Sequence, residues 1–277
     1  IIDPSNTYLI NADALATATG TTSGTQNAGK NILRRDNNGL TAMWINAAGT
    51  DPVCSTSATS GATWAALASE AGTETGVAIA TNGTGVVYTG MFATNGAGDI
   101  AYLYNVAGAC DTAGTYADVS TATNDHYRPD VAFDGVNNKY VLCAQDNDDF
   151  DIDFAYATPS STTTLSFTGV DAVNVSGDVT STSCSVDIDD TGNVFIASAQ
   201  AAAGVVVYNS SAGTFTSSTA VTSTARTAYS ATSVSNMHMS IRGNTILITA
   251  EDANSDLVVA WSTDGINYNS EVLAGTV

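Results

Sequence analysis

The apolar positions of residues 129–154, PDVAFDGVNNKYVLCAQDNDDFDIDF, mark out a small unit of antiparallel sheet. Val131 and Phe133 alternate with smaller or polar neighbours, as in a half-buried strand. Asp134 and Gly135 open a turn, and Tyr140, Val141 and Leu142 make a second apolar run. A third strand starts near Asp151 and continues through Ile152, Phe154 and Tyr156. The same outline predicts strands at Val77, Ala78 and Ile79, then at Val86, Val87 and Tyr88, then over residues 99–104. It returns at residues 186–188, 194–196 and 205–208, and at residues 239–241, 246–248 and 256–261. With Val77, Val131, Val186 and Met239 taken as equivalent, the steps are 54, 55 and 53 residues. An earlier copy, residues 32–35 and 40–45 around a turn at Asn37, Asn38 and Gly39, precedes the second.

Fourth strands are expected near residues 116–119, 164–170, 214–219 and 271–273, with the Ser/Thr-rich stretch 220–235 as a connection. Five related units of about 50 residues predict an all-β fold: a single β-propeller of four-stranded antiparallel blades. Five is the direct blade count. A sixth blade, assembled from the N-terminal stretch and residues 220–235, is the rival count. The propeller domain spans residues 30–277, with units beginning near residues 31, 76, 130, 185 and 238. Residues 1–29 precede it; their TYLI run at 7–10 is a short strand that can join the last blade, and the alternative is that Ile1 and Ile2 reach into a neighbouring chain by strand addition.

Composition narrows the setting. Seven basic against 27 acidic side chains give a formal net charge of -20, almost all of the acid being Asp. That surface repels DNA, RNA and anionic membranes, so no nucleic-acid partner is expected. No apolar run approaches the roughly 18 residues of a membrane span. Few Lys and Glu beside abundant Thr, Ser, Ala and Gly fit a secreted, marine, halophilic or phage-associated protein, placed outside the cell, on a cell surface or on a virion surface. Ile1 opens the chain without Met or a basic leader, as a processed chain would and equally as a trimmed one would.

The four cysteines allow three complete pairings. Cys143 and Cys184 fall on adjacent units and suit a bridge between blades, Cys54 and Cys110 can form the other, and buried free thiols are the alternative. No zinc site is expected, since no two cysteines lie close in sequence and the only histidines are His126 and His238. The densest acidic segment carries Asp146, Asp148, Asp149 and Asp151. Oxygen ligands at such spacing suit Ca²⁺, although an exposed acidic loop is the plainer reading. No cofactor is required by the pattern.

Residues 57–64, SATSGATW, follow the third strand of the first unit, and residues 261–268, WSTDGINY, follow that of the last. Both resemble the Asp-box hairpin of sialidase-like and BNR-repeat β-propellers, roughly Ser-x-Asp-x-Gly-x-Thr-Trp. In such a hairpin a short polar side chain bonds turn amides, Gly permits an unusual backbone angle, and the aromatic packs between sheets. Here Thr59 stands in place of the family's Asp, and the last copy is one residue shorter between Asp264 and Tyr268. The resemblance implies a propeller from Lys30 onward. The sialidase reaction it also implies needs an arginine cluster, an acid/base carboxylate and a tyrosine supported by a glutamate. The arginines are Arg34, Arg35, Arg128, Arg226 and Arg242, without the family's signature ahead of the first unit. Glu70, Glu74, Glu251 and Glu271 supply no clear partner for a tyrosine.

Propeller function usually sits at one end of the central channel, where inner strands bring several blades together. The candidate binding residues at the starts of inner strands are Arg128, Asp130, Asp187 and His238, with pairing across a blade junction as their structural alternative. The leading expectation is a noncatalytic propeller that recognises a glycan or a surface protein, or that self-assembles. A glycoside hydrolase using Asp36, Asp130 and Asp187 is the alternative. A structural filament or capsid-decoration subunit is a third.

Overall fold

The computed structural model describes residues 32–34, 40–45, 52–57, 59, 63–64, 68–69, 76–81, 89–94, 100–105, 117–118, 126–146, 152–158, 167–168, 181–210, 224–273 and 275. They form five four-stranded sheets, each an antiparallel meander, and no helix is present among them. The first sheet is β1 (Ile32–Arg34), β2 (Leu40–Ile45), β3 (Pro52–Ser57) and β4 (Ala68–Ser69). The second is β5 (Gly76–Thr81), β6 (Thr89–Thr94), β7 (Ile100–Asn105) and β8 (Ala117–Asp118). The third is β9 (His126–Asp134), β10 (Lys139–Asp146), β11 (Ile152–Ala157) and β12 (Phe167–Thr168). The fourth is β13 (Ser181–Ile188), β14 (Val194–Gln200), β15 (Gly204–Ser210) and β16 (Arg226–Tyr229). The fifth is β17 (Ser235–Arg242), β18 (Thr245–Glu251), β19 (Leu257–Ser262) and β20 (Asn269–Leu273). First strands follow one another through contacts of β1 with β5, β5 with β9, β9 with β13 and β13 with β17. The expected N-terminal strand at residues 7–10 lies outside the described residues.

Alternate side chains of a strand serve opposite faces, so a strand in a sheet held between two others is buried at every position and mostly apolar. β14 shows this plainly, being buried throughout. Its Val194 and Ile196 join Val141, Ile152 and Phe154 of the third sheet in one core, while Phe195, Ala197 and Ala199 join Met239, Ile246 and Ile248 of the fifth in another. Ala78 and Ala80 meet Val131, Tyr140 and Leu142 between the second and third sheets. The Cys143–Cys184 disulfide expected between units links β10 to β13 inside the first of these cores. Cys110 lies outside the described residues.

Two strands differ from their sequence-based positions. The second strand described in the second sheet is Thr89–Thr94, its register pairs Ile79 with Met91, and the expected run at 86–88 lies outside the described residues. A complete six-residue ladder to β7 sets that position, which local β-propensity does not reveal. The fourth strand described in the fourth sheet is Arg226–Tyr229, while residues 214–219, expected there, lie outside the described residues. It lies within the Ser/Thr-rich stretch expected to be a connection, so Arg226–Tyr229 belong to the fourth sheet. Ala228 is buried and Tyr229 packs on the same core, so two well-placed side chains outweigh a polar composition. Gly204, at φ +85°, allows the close approach: a Cβ there would collide with the backbone of Tyr229 and Ala231.

An inner edge strand presents unpaired N–H groups, which must find acceptors when buried. Here the preceding sheet supplies them. Asp130 Oδ2 accepts from Val186 N–H at 2.9 Å and from the Ser185 hydroxyl at 2.7 Å. Ser185 Oγ in turn accepts from Met239 N–H at 3.1 Å, and Asp187 Oδ2 accepts from Ile241 N–H at 2.8 Å. These bonds align Val131, Val186 and Met239 as the equivalent positions inferred from the repeat.

Candidate functional site

Between the fourth and fifth sheets, the turns at one end leave a pocket of about 230 Å³. Its rim is built from residues 189–193 of the β13–β14 turn, Asn244 of the β17–β18 turn and residues 263–265 of the β19–β20 hairpin, over a floor of Phe195, Ile241 and Ile246. Each contributing turn has a local cause. Asp189 Oδ1 accepts from the N–H groups of Thr191 and Asn193 and from the Thr191 hydroxyl, while Oδ2 accepts from Asn193 Nδ2 at 2.7 Å. Gly192 closes that turn at φ +83°.

The second carboxylate is held in the same manner. Asp264 Oδ1 accepts from Ile266 N–H at 2.9 Å and Asn267 N–H at 2.8 Å, and Oδ2 accepts from Asn267 Nδ2 at 2.7 Å. Ser262 Oγ accepts from Gly265 N–H, and Gly265 adopts φ +68°. This is the bonding anticipated for an Asp-box turn. A Cβ on Gly265 would stand 2.9 Å from Phe195 Cε1, so the glycine also lets the hairpin rest on the pocket floor.

These bonds fix the electrostatics. Partial burial pushes the Asp189 carboxyl upward, but the Asn193 and Thr191 hydrogen bonds outweigh it and the net shift is downward. The N–H of Asn267, then that of Ile266 and the Asn267 side chain, hold Asp264 well below the usual carboxylate range. Both are ionised at neutral pH. Burial, with the nearby Asp264 charge, pushes the Tyr268 hydroxyl up and keeps it protonated. Among the described residues the lining holds no lysine, arginine or histidine, and neither carboxylate is raised toward the range of a general acid. The pocket can accept hydrogen bonds and cover an apolar edge.

The residues expected at the starts of inner strands are not brought together in this pocket. Asp130 is fully buried on the N–H groups described above, and Asp187 joins β13 to β17. His238 is exposed on β17 and holds the place that Asp130 and Ser185 hold in the third and fourth sheets. Arg128 belongs to β9. Of the acidic segment, Asp146 ends β10, while Asp148, Asp149 and Asp151 lie outside the described residues. Among the described residues, no three His, Cys, Asp or Glu side chains gather to hold a metal ion. The pocket's only signal in the sequence was two Asp–Asn pairs, Asp189 with Asn193 and Asp264 with Asn267, which also read as ordinary turns.

No protein-family profile and no curated protein matches the chain. Solved structures do. The BP39L lectin from Burkholderia pseudomallei aligns with a TM-score of 0.64 at 13% identity, covering 87% of this chain and 69% of that one. The SapL1 lectin, solved with alpha methyl fucoside, aligns with a TM-score of 0.56 at 13% identity, covering 91% and 82%. The Hadza microbial sialidase Hz136 aligns with a TM-score of 0.54 at 12% identity, and there the chain covers 87% of itself but 57% of the enzyme. At these identities the likeness establishes the fold, that of sialidase-like and lectin β-propellers.

Proposed function

We propose that this protein is a noncatalytic glycan-recognition propeller working outside the cell or on a virion surface, with the sugar seated between the fourth and fifth sheets. The pocket carries this reading: acceptor groups converge on its rim, its floor is apolar, and its two carboxylates stay ionised. A sugar offers the matching chemistry of hydroxyl donors around an apolar C–H face. Glycoside hydrolysis is disfavoured at this place, because it needs a carboxylic acid that remains protonated. The disulfide fits an oxidising compartment. Ca²⁺ is not needed for recognition in this scheme. The segment with Asp146, Asp148, Asp149 and Asp151 is the candidate Ca²⁺ loop, tested by whether Ca²⁺ raises the melting temperature of the EDTA-treated protein.

Isothermal titration against immobilised-array hits tests the reading. Replacing Asn244 by Trp should fill the rim and weaken binding at least about tenfold, whereas His238→Ala at the other candidate site should leave it unchanged. Binding that His238→Ala abolishes and Asn244→Trp leaves intact would move recognition to the inner-strand starts.

Self-assembly has its own support. The fifth sheet buries one face and exposes the other, where Leu247 pairs across strands with Trp261 and Leu257 with Leu273, all at least a third exposed. Light scattering of wild type and Trp261→Ser decides it, a concentration-dependent oligomer lost in the variant being the outcome that favours assembly.

A further inference from the structure

We infer that the pocket between the fourth and fifth sheets selects sugars bearing a protonated amine, glucosamine-type residues of a deacetylated aminoglycan, over acidic sugars. The inference rests on the sugar-binding reading above and names the chemical class. Asp189 and Asp264 both line the pocket, and their Oδ2 atoms each accept one described hydrogen bond, from Asn193 and Asn267. A carboxylate oxygen has two acceptor positions, so each Oδ2 retains room for a ligand donor. Among the described residues no lining side chain is cationic, so no described lining group neutralises the two charges. The chain's formal charge of -20 adds a field of the same sign, which concentrates cations and repels carboxylated sugars.

Size and floor narrow the ligand further. At about 230 Å³ the pocket is smaller than those that enclose drug-sized molecules, and it suits one sugar ring of a chain. Phe195 and Ile246 present an apolar surface to the ring's C–H face, while Asn193, Thr191 and Asn244 offer neutral polar groups around it. An ammonium group donates up to three hydrogen bonds, and charge-assisted bonds to carboxylates are about twice as strong as neutral ones. An acidic sugar in the same place would face two like charges with no arginine among the described lining residues to receive it.

The test compares three probes by titration at about pH 6 and low salt: the glucosamine trimer, its fully N-acetylated counterpart and a sialylated trisaccharide. The expected result is at least tenfold tighter binding of the glucosamine trimer than of the other two, weakening steeply as salt rises from about 0.05 to 0.5 M. Thr263→Lys places a cation on the exposed rim without touching either turn's hydrogen bonds, and should abolish the preference. Thr168→Lys, on exposed β12 of the third sheet, makes the same change in net charge and should retain it. Equal response to the two lysine variants would mean that only bulk charge attracts the amine, and would overturn the inference. So would tight binding of the sialylated probe. If the N-acetylated trimer binds as well as the amine and Asn244→Trp abolishes both, the sugar-binding reading stands and the amine selectivity falls. If neither trimer responds to Asn244→Trp, the sugar-binding reading itself falls.

Discussion

The hairpin that follows β3 and the hairpin between β19 and β20 share a serine-led plan and differ most in the side chain two residues on. Both start from a buried serine whose hydroxyl receives a turn N–H: Thr59 N–H donates to Ser57 Oγ at 3.2 Å, and Gly265 N–H to Ser262 Oγ at 2.9 Å. Two residues on, the first turn has Thr59, whose Oγ1 accepts from Thr63 N–H at 2.8 Å and pairs with the Thr63 hydroxyl at 2.8 Å. The last has Asp264, which gathers two N–H groups, the Ser262 hydroxyl and the Asn267 amide. A hydroxyl is enough to close the turn. A carboxylate closes it with more bonds and adds a charge, which in the fifth sheet borders the pocket. One motif thus serves as a fastener in the first sheet and as a fastener with a recognition surface in the fifth.

The largest expected effect comes from removing the backbone freedom that the last turn uses. Gly265→Ala forces an L side chain to φ +68° and against Phe195, and chemical denaturation should show a loss of about 1–3 kcal/mol together with weaker sugar binding. Thr59→Ala removes a single capping hydroxyl and should destabilise by about 1 kcal/mol with binding intact. Asp264→Ala should lower the melting temperature further than Thr59→Ala does and reduce binding as well, because more bonds and a pocket group are lost. If the two alanine variants behave alike in both assays, the contrast between the turns disappears.

A pH series sharpens the same contrast through Asp264→Thr, which gives the last turn the chemistry of the first. The folded-state pKa of Asp264 is depressed, so its contribution is fully present above the unfolded value of about 4 and is lost as the pH falls through the folded value. The stability gap between wild type and Asp264→Thr should therefore be widest near neutrality and narrow below about pH 4. The gap for Thr59→Ala should not move over the same range. Smallest of all should be Tyr268→Phe. The Tyr268 hydroxyl is buried without a hydrogen-bond partner among the described residues, so its removal should leave stability unchanged or raise it by up to about 1 kcal/mol in urea melts.

Much of the architecture was legible because burial on two faces leaves a coarse signal. The runs around Val141, Ile196 and Ile248 locate second strands without any partner being known, and the spacing of Val131, Val186 and Met239 matches the bonds from Asp130 and Ser185 to the next sheet. The serine-led turns were legible for the same reason, since Ser262, Asp264 and Gly265 act within a few residues. β16 was not, because Arg226 and Thr227 are exposed and only Ala228 and Tyr229 report its packing. The pocket was hidden for a topological reason: its rim comes from three turns on two sheets, and each turn alone reads as a turn. The acidic surplus, suggestive of metal or catalysis, has a local explanation at Asp134, Asp189, Asp252 and Asp264, whose short side chains each receive turn N–H groups. Glutamate, one methylene longer, fits such turns less readily, which favours Asp at these four positions.

The central claim is the place of recognition, and side-chain amide NMR during titration with the glucosamine trimer tests it most directly. Asn193, Asn244 and Asn267 should shift and broaden together with the backbone amides of Thr191 and Gly265, while His238 and its strand neighbours stay still. Shifts confined to His238, Arg128 and the starts of β9 and β17, with these asparagine amides unmoved, would contradict it.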